Sequence, residues 1–423
     1  MQSIKTVFIA AIIIVASSAI PAMALDSNWT ITGQLRPRFE YRNGYRQLLP
    51  PHENDQVAFV SQRSRIGMVY TGEKKLKVVL QVQDVRTWGD ETHTSNDATA
   101  DKFDLHQGYL DLMPHERWTL RIGRQEIAYD EERLIGTGNW NQPGRVHDAF
   151  LVMWRKGKAQ AHAGWAHHET GELISGAPYP NNSNYQDLAF WRLSSACEKG
   201  SVNGLLIFDS YGPSSSPPNR WTGGLYSTLM WSGVSWRGEA YYQTGKHDGS
   251  EPILNRRDRY DIRSFMIGLS AERKFGRSGA TIWYDYLSGD DDHEDARFES
   301  FNPLYGTFHK YYGFADYFIS FPSDTRGLGL QDLALKCAFG GPSIAKTQVD
   351  LHYFWLAELS PEINVNNRHL GFEADVMLTI PILKTVSLSG GASLVLPTET
   401  MRTLKGQADQ GHWFWTMLDF NVK

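Results

Sequence analysis

Long apolar runs are what this chain lacks. Beyond residue 25 no uninterrupted apolar stretch reaches the roughly 18 residues that a membrane helix needs, and mean hydropathy is −0.41. A helical membrane protein is excluded on those grounds. Cysteine is nearly absent: only Cys197 and Cys337 occur, on predicted strands far apart in chain order, so no disulfide is expected and both thiols read as inert. No low-complexity linker or shift of composition divides the 423 residues, so one domain is expected after the targeting segment. Walker, dinucleotide and nucleic-acid motifs are absent too, which leaves no sign of energy coupling. The net charge of −5 is small for such a chain, so electrostatics must be argued from where charges sit.

At the N-terminus Lys5 precedes an apolar run from Val7 to Ile20, followed by Pro21 and Ala22-Met23-Ala24. This reads as a secretory signal peptide over 1–24, cut before Leu25. The run is too short and wrongly flanked to span a membrane, and no cysteine follows to take a lipid. The mature chain, 25–423, is then expected to begin close to its first strand, with no room for an N-terminal plug.

What the chain does have is alternation. From Trp29 to Arg42 every odd position is apolar, proline or glycine (Trp29, Ile31, Gly33, Leu35, Pro37, Phe39, Tyr41), and every even one is polar (Thr30, Thr32, Gln34, Arg36, Arg38, Glu40, Arg42). Successive side chains of a strand point to opposite faces, so one face here is greasy and the other charged. A soluble sandwich strand seldom runs so long or carries so much arginine outward. A transmembrane barrel strand does both, with lipid outside and water inside. The 14 Trp, 19 Tyr, 20 Phe and 38 Gly suit aromatic girdles and tight turns.

Strands are expected near 28–42, 56–71, 74–86, 101–112, 117–125, 145–155, 158–168, 186–197, 201–210, 220–231, 234–244, 261–274, 278–287, 329–339, 346–358, 369–381, 384–396 and 411–422. Those at 101–112 and 145–155 alternate poorly. The count is about 18, even as bacterial barrels require. Connections alternate between long (43–55, 87–100, 126–144, 169–185, 211–219, 245–260, 288–328, 359–368, 397–410) and tight, such as Lys156-Gly157. Long external loops and short periplasmic turns have that asymmetry. The expected fold is therefore all-β, a transmembrane antiparallel up-and-down barrel in the outer membrane of a Gram-negative bacterium.

On the lumen-facing parity of the first half lie Arg36, Arg38, Arg42, Arg63, Arg65, Arg121 and Arg192, with Arg237 a little later. The second half places Glu239, Glu272, Asp285, Asp332, Asp350, Glu373 and Asp375 there, with Lys336 an exception. Opposed walls of this kind would set a transverse field that draws anions along one side. Arginine suits carboxylates, since its planar fork holds them bidentately. The alternative is a set of lumen ion pairs that brace a wide barrel.

Residues 121 to 148 carry a specific pattern: Arg121-Ile-Gly-Arg124-Gln125, Tyr129-Asp-Glu-Glu-Arg133-Leu-Ile-Gly136, Asn139-Trp140-Asn141 and Gly144-Arg145-Val-His-Asp148. A second is Phe301-Asn302-Pro303-Leu304-Tyr305 with His309, Tyr312, Gly313 and Asp316, in the longest connection. The chain resembles the alginate export family of outer-membrane channels over essentially its whole mature length. That resemblance implies a barrel with an arginine-rich constriction passing a uronate polymer. Carried over by position, Arg124, Arg133 and Arg145 would line or brace the constriction, with Asp148 as a paired acid, and 126–144 would fold inward. Arg124 falls on the apolar parity of its strand, which requires a strand end or a bulge.

Two alternatives stand beside this channel. One is an uptake porin for small anions or oligosaccharides. The other is a barrel enzyme with a rim site, for which His162 and His168 on one strand face are the thin candidates. The run Asp290-Asp291-Asp292-His293-Glu294-Asp295 lacks the glycine and spacing of a dedicated calcium loop. No cofactor, metal or nucleic acid is expected. Expected partners are the anionic saccharide, outer-membrane lipid and, for export, a periplasmic protein; the barrel itself is expected to be a monomer.

Overall fold

A computed structural model describes residues 28–49, 56–72, 75–89, 103–169, 185–211, 218–247, 260–292, 295–341 and 345–422. The expected signal peptide lies outside these residues, as do His293 and Glu294 of the acidic run. Eighteen strands form the wall. The first six are β1 Trp29–Asn43, β2 Val57–Gly72, β3 Leu76–Thr87, β4 Phe103–His115, β5 Trp118–Gln125 and β6 His147–Lys156. Next come β7 Ala159–His167, β8 Tyr185–Ala196, β9 Gly200–Tyr211, β10 Asn219–Trp231, β11 Val234–His247 and β12 Tyr260–Phe275. The last six are β13 Ser278–Leu287, β14 Leu330–Gly340, β15 Lys346–Trp355, β16 His369–Leu383, β17 Val386–Pro397 and β18 Gly411–Val422. No end departs by more than three residues from its expected place.

Each strand pairs antiparallel with its sequence neighbours, and β1 bonds to both β2 and β18, so the sheet closes and leaves no edge. A two-residue ladder, Arg297–Phe298, adds itself in parallel to β12. One short helix, α1 (Glu399–Lys405), forms in the connection before β18, its N-terminus capped by the Thr398 hydroxyl. The tight hairpin at Ser232-Gly233 places both residues at positive φ, 52° and 74°, the backbone that matches the twist of the flanking strands. Cys197 and Cys337 are free thiols.

The expected phase holds along β1. Ile31, Leu35 and Phe39 stand exposed on the outside, whereas Arg36, Arg38 and Glu40 are buried within. Strand β4 alternates poorly because it contains a bulge. Gln107 pairs with Gln81 and Leu105 with Val82, so His106 is an extra residue. Odd positions face out before the bulge and in after it. Strand β6 fails for another reason: its inward residues Ala149 and Leu151 are apolar and buried, as are Leu188, Phe190, Leu205 and Ile207 on β8 and β9. The lumen wall there is greasy because loops pack against it. The hydrophobic core of this molecule lies inside the barrel.

A charge on the lipid face is costly and one on the lumen face is not. Leu35 is 41% exposed, so Leu35→Arg should cost about 2 to 4 kcal/mol near the bilayer midplane. Gln34→Arg should be nearly free, since Gln34 faces inward and donates to Asp419 at 2.9 Å. Urea unfolding in lipid vesicles measures both, and equal penalties would overturn the strand phase.

Candidate functional site

The connection from β5 to β6 leaves the wall and crosses the lumen. Its apolar residues Ile127, Leu134 and Ile135 are buried in the same cluster as the greasy wall of β6 to β9. Between them Asp130, Glu131 and Glu132 form a single turn with φ of 49°, 58° and 67°. Left-handed backbone costs about 1 to 2 kcal/mol per residue outside glycine. Side chains fix the turn in place. Asp130 accepts from Arg192 at 3.0 Å and from Asn203 at 2.9 Å, and Glu132 accepts from the Thr137 backbone at 3.1 Å and from the Thr307 hydroxyl.

Arg133 follows immediately and reaches the opposite wall. Its Nε donates to Glu239 on β11 at 2.8 Å, Nη2 to Asp285 on β13 at 2.8 Å and Nη1 to the Tyr312 hydroxyl at 2.8 Å. The guanidinium carbon lies 3.7 Å from the Tyr311 ring centre. Burial alone would pull the guanidinium down; Asp285 and Glu239 reverse this and raise it well above its ordinary value. With 0% exposure, Arg133 cannot meet a passing solute. It holds the loop to the wall, which corrects the pore-lining role expected for it.

The return leg lies across β1 and β2. Arg36 donates to the Asn139 carbonyl at 2.8 Å and to Gln142 Oε1 at 3.1 Å. Arg38 donates to the Trp140 carbonyl at 2.6 Å and sits 4.1 Å over its ring. Arg63 reaches the Gln142 carbonyl at 3.2 Å and Arg65 the Pro143 carbonyl at 3.0 Å. These four arginines lie beneath the loop, and their guanidiniums meet its carbonyls before any solute.

A second connection, between β13 and β14, pairs with the first. The Gly136 N–H donates to the Tyr305 carbonyl and the Tyr305 N–H to the Leu134 carbonyl, each at 2.9 Å. Arg145 donates to the carbonyls of Tyr305 and, at 2.9 Å, Gly306, and burial lowers its guanidinium from the ordinary value. His309 stacks on Trp140 with ring centres 4.2 Å apart and shares a 2.7 Å hydrogen bond with Asp316. At Gly313, φ is 81° and a side chain would collide with the Glu373 carboxylate. Both signature patterns thus meet inside the barrel.

Most other expected site residues are in ion pairs. Arg121 donates to Asp111 at 2.6 Å, and Arg237 to Glu239 at 2.6 Å. Asp350 faces Lys336 at 3.7 Å. Glu373 accepts from the Ala315 N–H at 2.7 Å and Asp375 from the Phe314 N–H at 3.3 Å. Arg124 and Asp148 are a correction: they pair at 2.8 Å on the outward parity of β5 and β6, 33% and 57% exposed. The strand continues without a bulge through Arg124, which therefore shares the side of Ile122. His162 bonds to the Tyr129 hydroxyl at 2.9 Å. Sequence reasoning missed Gln142, which ties Arg36 to the loop, and Lys310, which is exposed within the second signature stretch.

In the acidic run Asp290 is buried and accepts from the N–H groups of Asp292 and Glu299 at 3.3 and 3.4 Å. Burial pushes its carboxyl up to about 7. Among the described residues no group of three or more His, Cys, Asp or Glu is placed to hold a metal ion.

The profile of the alginate export family matches residues 28–167 and 214–413. Among solved structures the chain is similar to Acinetobacter baumannii OccAB1, at 12% identity and a TM-score of 0.62, covering 94% of this chain and 97% of that one. A BenF-like porin from Pseudomonas fluorescens Pf-5 is similar at 9% identity and 0.60, covering 94% and 99%. Pseudomonas aeruginosa OccK9 is similar at 11% and 0.60, covering 93% and 98%. At these identities the likeness is one of fold. No curated protein matches the chain.

Removing Arg133 would leave Glu239 and Asp285 buried and short of a partner. Arg133→Met should cost about 3 kcal/mol, the low end for a broken buried pair, because Arg237 still faces both acids. It should also raise single-channel conductance as the loop loosens. Arg124→Ala should cost under about 1 kcal/mol, as exposed pairs do. Similar losses for the two would remove the distinction drawn between them.

The folded value of Asp290 lies above the ordinary one, so its contribution to stability is complete below about pH 4 and falls as pH rises to about 7. Asp290→Asn should therefore leave stability unchanged at pH 4 and raise it at pH 8. An equal change at both pH values would contradict the burial argument.

Proposed function

The chain belongs to the alginate export family, and on that premise we propose that it is a passive outer-membrane channel for anionic, uronate-type saccharides. One observation carries the reading: several lumen cations have no acid beside them. Glu239 and Asp285 answer Arg133 and Arg237, Asp209 answers Arg220, and Asp332 bonds to His352. Among the described residues Arg36, Arg63, Arg145 and Lys310 have no carboxylate within ion-pair distance. Arg36 and Arg63 even stand directly opposite each other across β1 and β2, an arrangement of like charges that disfavours the sheet. The side of the lumen on β1, β2 and the two loops is therefore electropositive although the whole chain is negative; Arg36 and Arg63 act there through their field, while the exposed Lys310 and the half-buried Arg145 offer moderate contacts, none strong enough to trap the solute.

A second reading, uptake of small anions, draws support from the two loops, whose apolar packing fills part of the lumen. Uronate oligomers of increasing length separate the two, because a polymer channel must show block that lengthens with the chain.

Arg145→Gln combined with Lys310→Gln should shift the reversal potential in a salt gradient toward lower anion preference. The shift should shrink at 1 M salt, where the Debye length contracts to about 3 Å. Anion preference that survives the double substitution would overturn the proposal.

A further inference from the structure

Two cavities open where the lumen meets the short turns. One, of about 840 Å³, is lined by Glu272, Lys274, Arg277 and Lys346. Its Lys274 lies 3.9 Å from Glu272, and the wall above it, on β13 to β16, carries Asp285, Asp332, Asp350, Glu373 and Asp375. The other, of about 700 Å³, is lined by Lys75, Arg117, Arg155, His115, Glu116 and His162. That volume falls within the roughly 300 to 1,000 Å³ common to ligand sites.

Neighbouring hairpins bring the three cations of the second cavity together. The Lys75 carbonyl accepts from the Met113 N–H at 2.8 Å, and the Arg117 carbonyl from the Arg155 N–H at 2.9 Å. Among the described residues the one carboxylate within ion-pair distance of any of them is Glu116, 3.6 Å from Arg117 and itself 76% exposed. Above the cavity Lys77 lies opposite Asp111 in register, and that acid is already held by Arg121; farther on Arg192 is paired with Asp130, and Arg65 and Arg63 lie beneath the loop. A carboxylated solute gains from the three cations of the cavity together, and the low-dielectric wall focuses their field.

We infer that the cavity at Lys75, Arg117 and Arg155 is the loading site, where a carboxylated saccharide first docks on the turn side before reaching the constriction. The inference rests on the channel reading above. The guanidiniums of Arg117 and Arg155 offer paired N–H donors to successive carboxylates, and the ammonium of Lys75 adds a point charge beside them. The other mouth has the same number of cations, yet it leads to the acidic wall, which repels the same solute.

Planar-bilayer recordings with a galacturonate trimer, added to one side at a time, test this. Block of the wild-type channel from the turn side should have its on-rate lowered about tenfold by Lys75→Gln, Arg117→Gln and Arg155→Gln together, in line with electrostatic steering. Block from the loop side should keep its rate within about twofold. Lys274→Gln, Arg277→Gln and Lys346→Gln together should leave the turn-side rate unchanged. Unaltered conductance in potassium chloride shows that each variant has folded. An unchanged turn-side rate in the first variant, an equal fall from both sides, or a larger fall in the second variant overturns the loading site while the channel reading stands. A wild-type channel that the trimer blocks from neither side overturns the channel reading itself.

Discussion

Arg133 is fully buried between Glu239 and Asp285, and the course of both lumen loops follows from that cluster. A guanidinium is expensive to dehydrate, and a buried carboxylate pair more so, but the charges offset one another and each nitrogen of the Arg133 guanidinium finds an acceptor. The cluster therefore fixes where the first loop meets the far wall. Because Arg133 also donates to the Tyr312 hydroxyl and lies on the Tyr311 ring, it fixes the second loop as well. The remaining loop contacts, from the Tyr305 ladder to the His309 stack on Trp140, are available only once that crossing is made.

Charge in this lumen cannot be read from totals. The acids of β11 to β16 outnumber the cations near them, yet each is turned inward onto an arginine, a histidine, a lysine or a loop N–H. The ion pairs cancel at short range, whereas a loop N–H orients Glu373 or Asp375 without neutralising it. The arginines of β1 and β2 are answered mainly by neutral carbonyls, which orient a guanidinium without neutralising it. The asymmetry between the two walls thus comes from what each charge is bonded to as well as from its sign.

The strands were legible in the sequence because lipid and water impose a period of two on every wall segment. The pattern blurred where a second physical demand entered. His106 is inserted into β4, so parity reverses partway along. In β6 the inward face is apolar because it receives Ile127 and Leu134. At the site, Arg36, Arg38, Arg63 and Arg65 are buried within the barrel, on the parity read for them, whereas Arg124, expected at the constriction past a strand end or after a bulge, pairs with Asp148 on the outward parity. Parity could not give the partners of the four buried arginines, since backbone carbonyls of a distant loop leave no signature in side-chain spacing. The burial of Arg133 was hidden for the same reason: Glu239 and Asp285 lie more than 100 residues away along the chain.

The turn at Asp130 to Glu132 explains why the signature pattern has the spacing it does. Three left-handed residues in a row cost several kcal/mol in total, at about 1 to 2 each, so the backbone adopts them only if the flanking anchors cannot be met otherwise. Asp130 must reach Arg192 and Asn203 on β8 and β9, while Arg133, three residues on, must reach β11 and β13. A right-handed turn or an extended segment would aim these two side chains differently. The left-handed turn lets a short stretch of chain address two walls at once. Tyr129-Asp-Glu-Glu-Arg133 thus encodes the crossing of the lumen, and the exposed Lys310 and the cluster of Lys75, Arg117 and Arg155 take no part in it, which leaves them for a solute on the proposed reading.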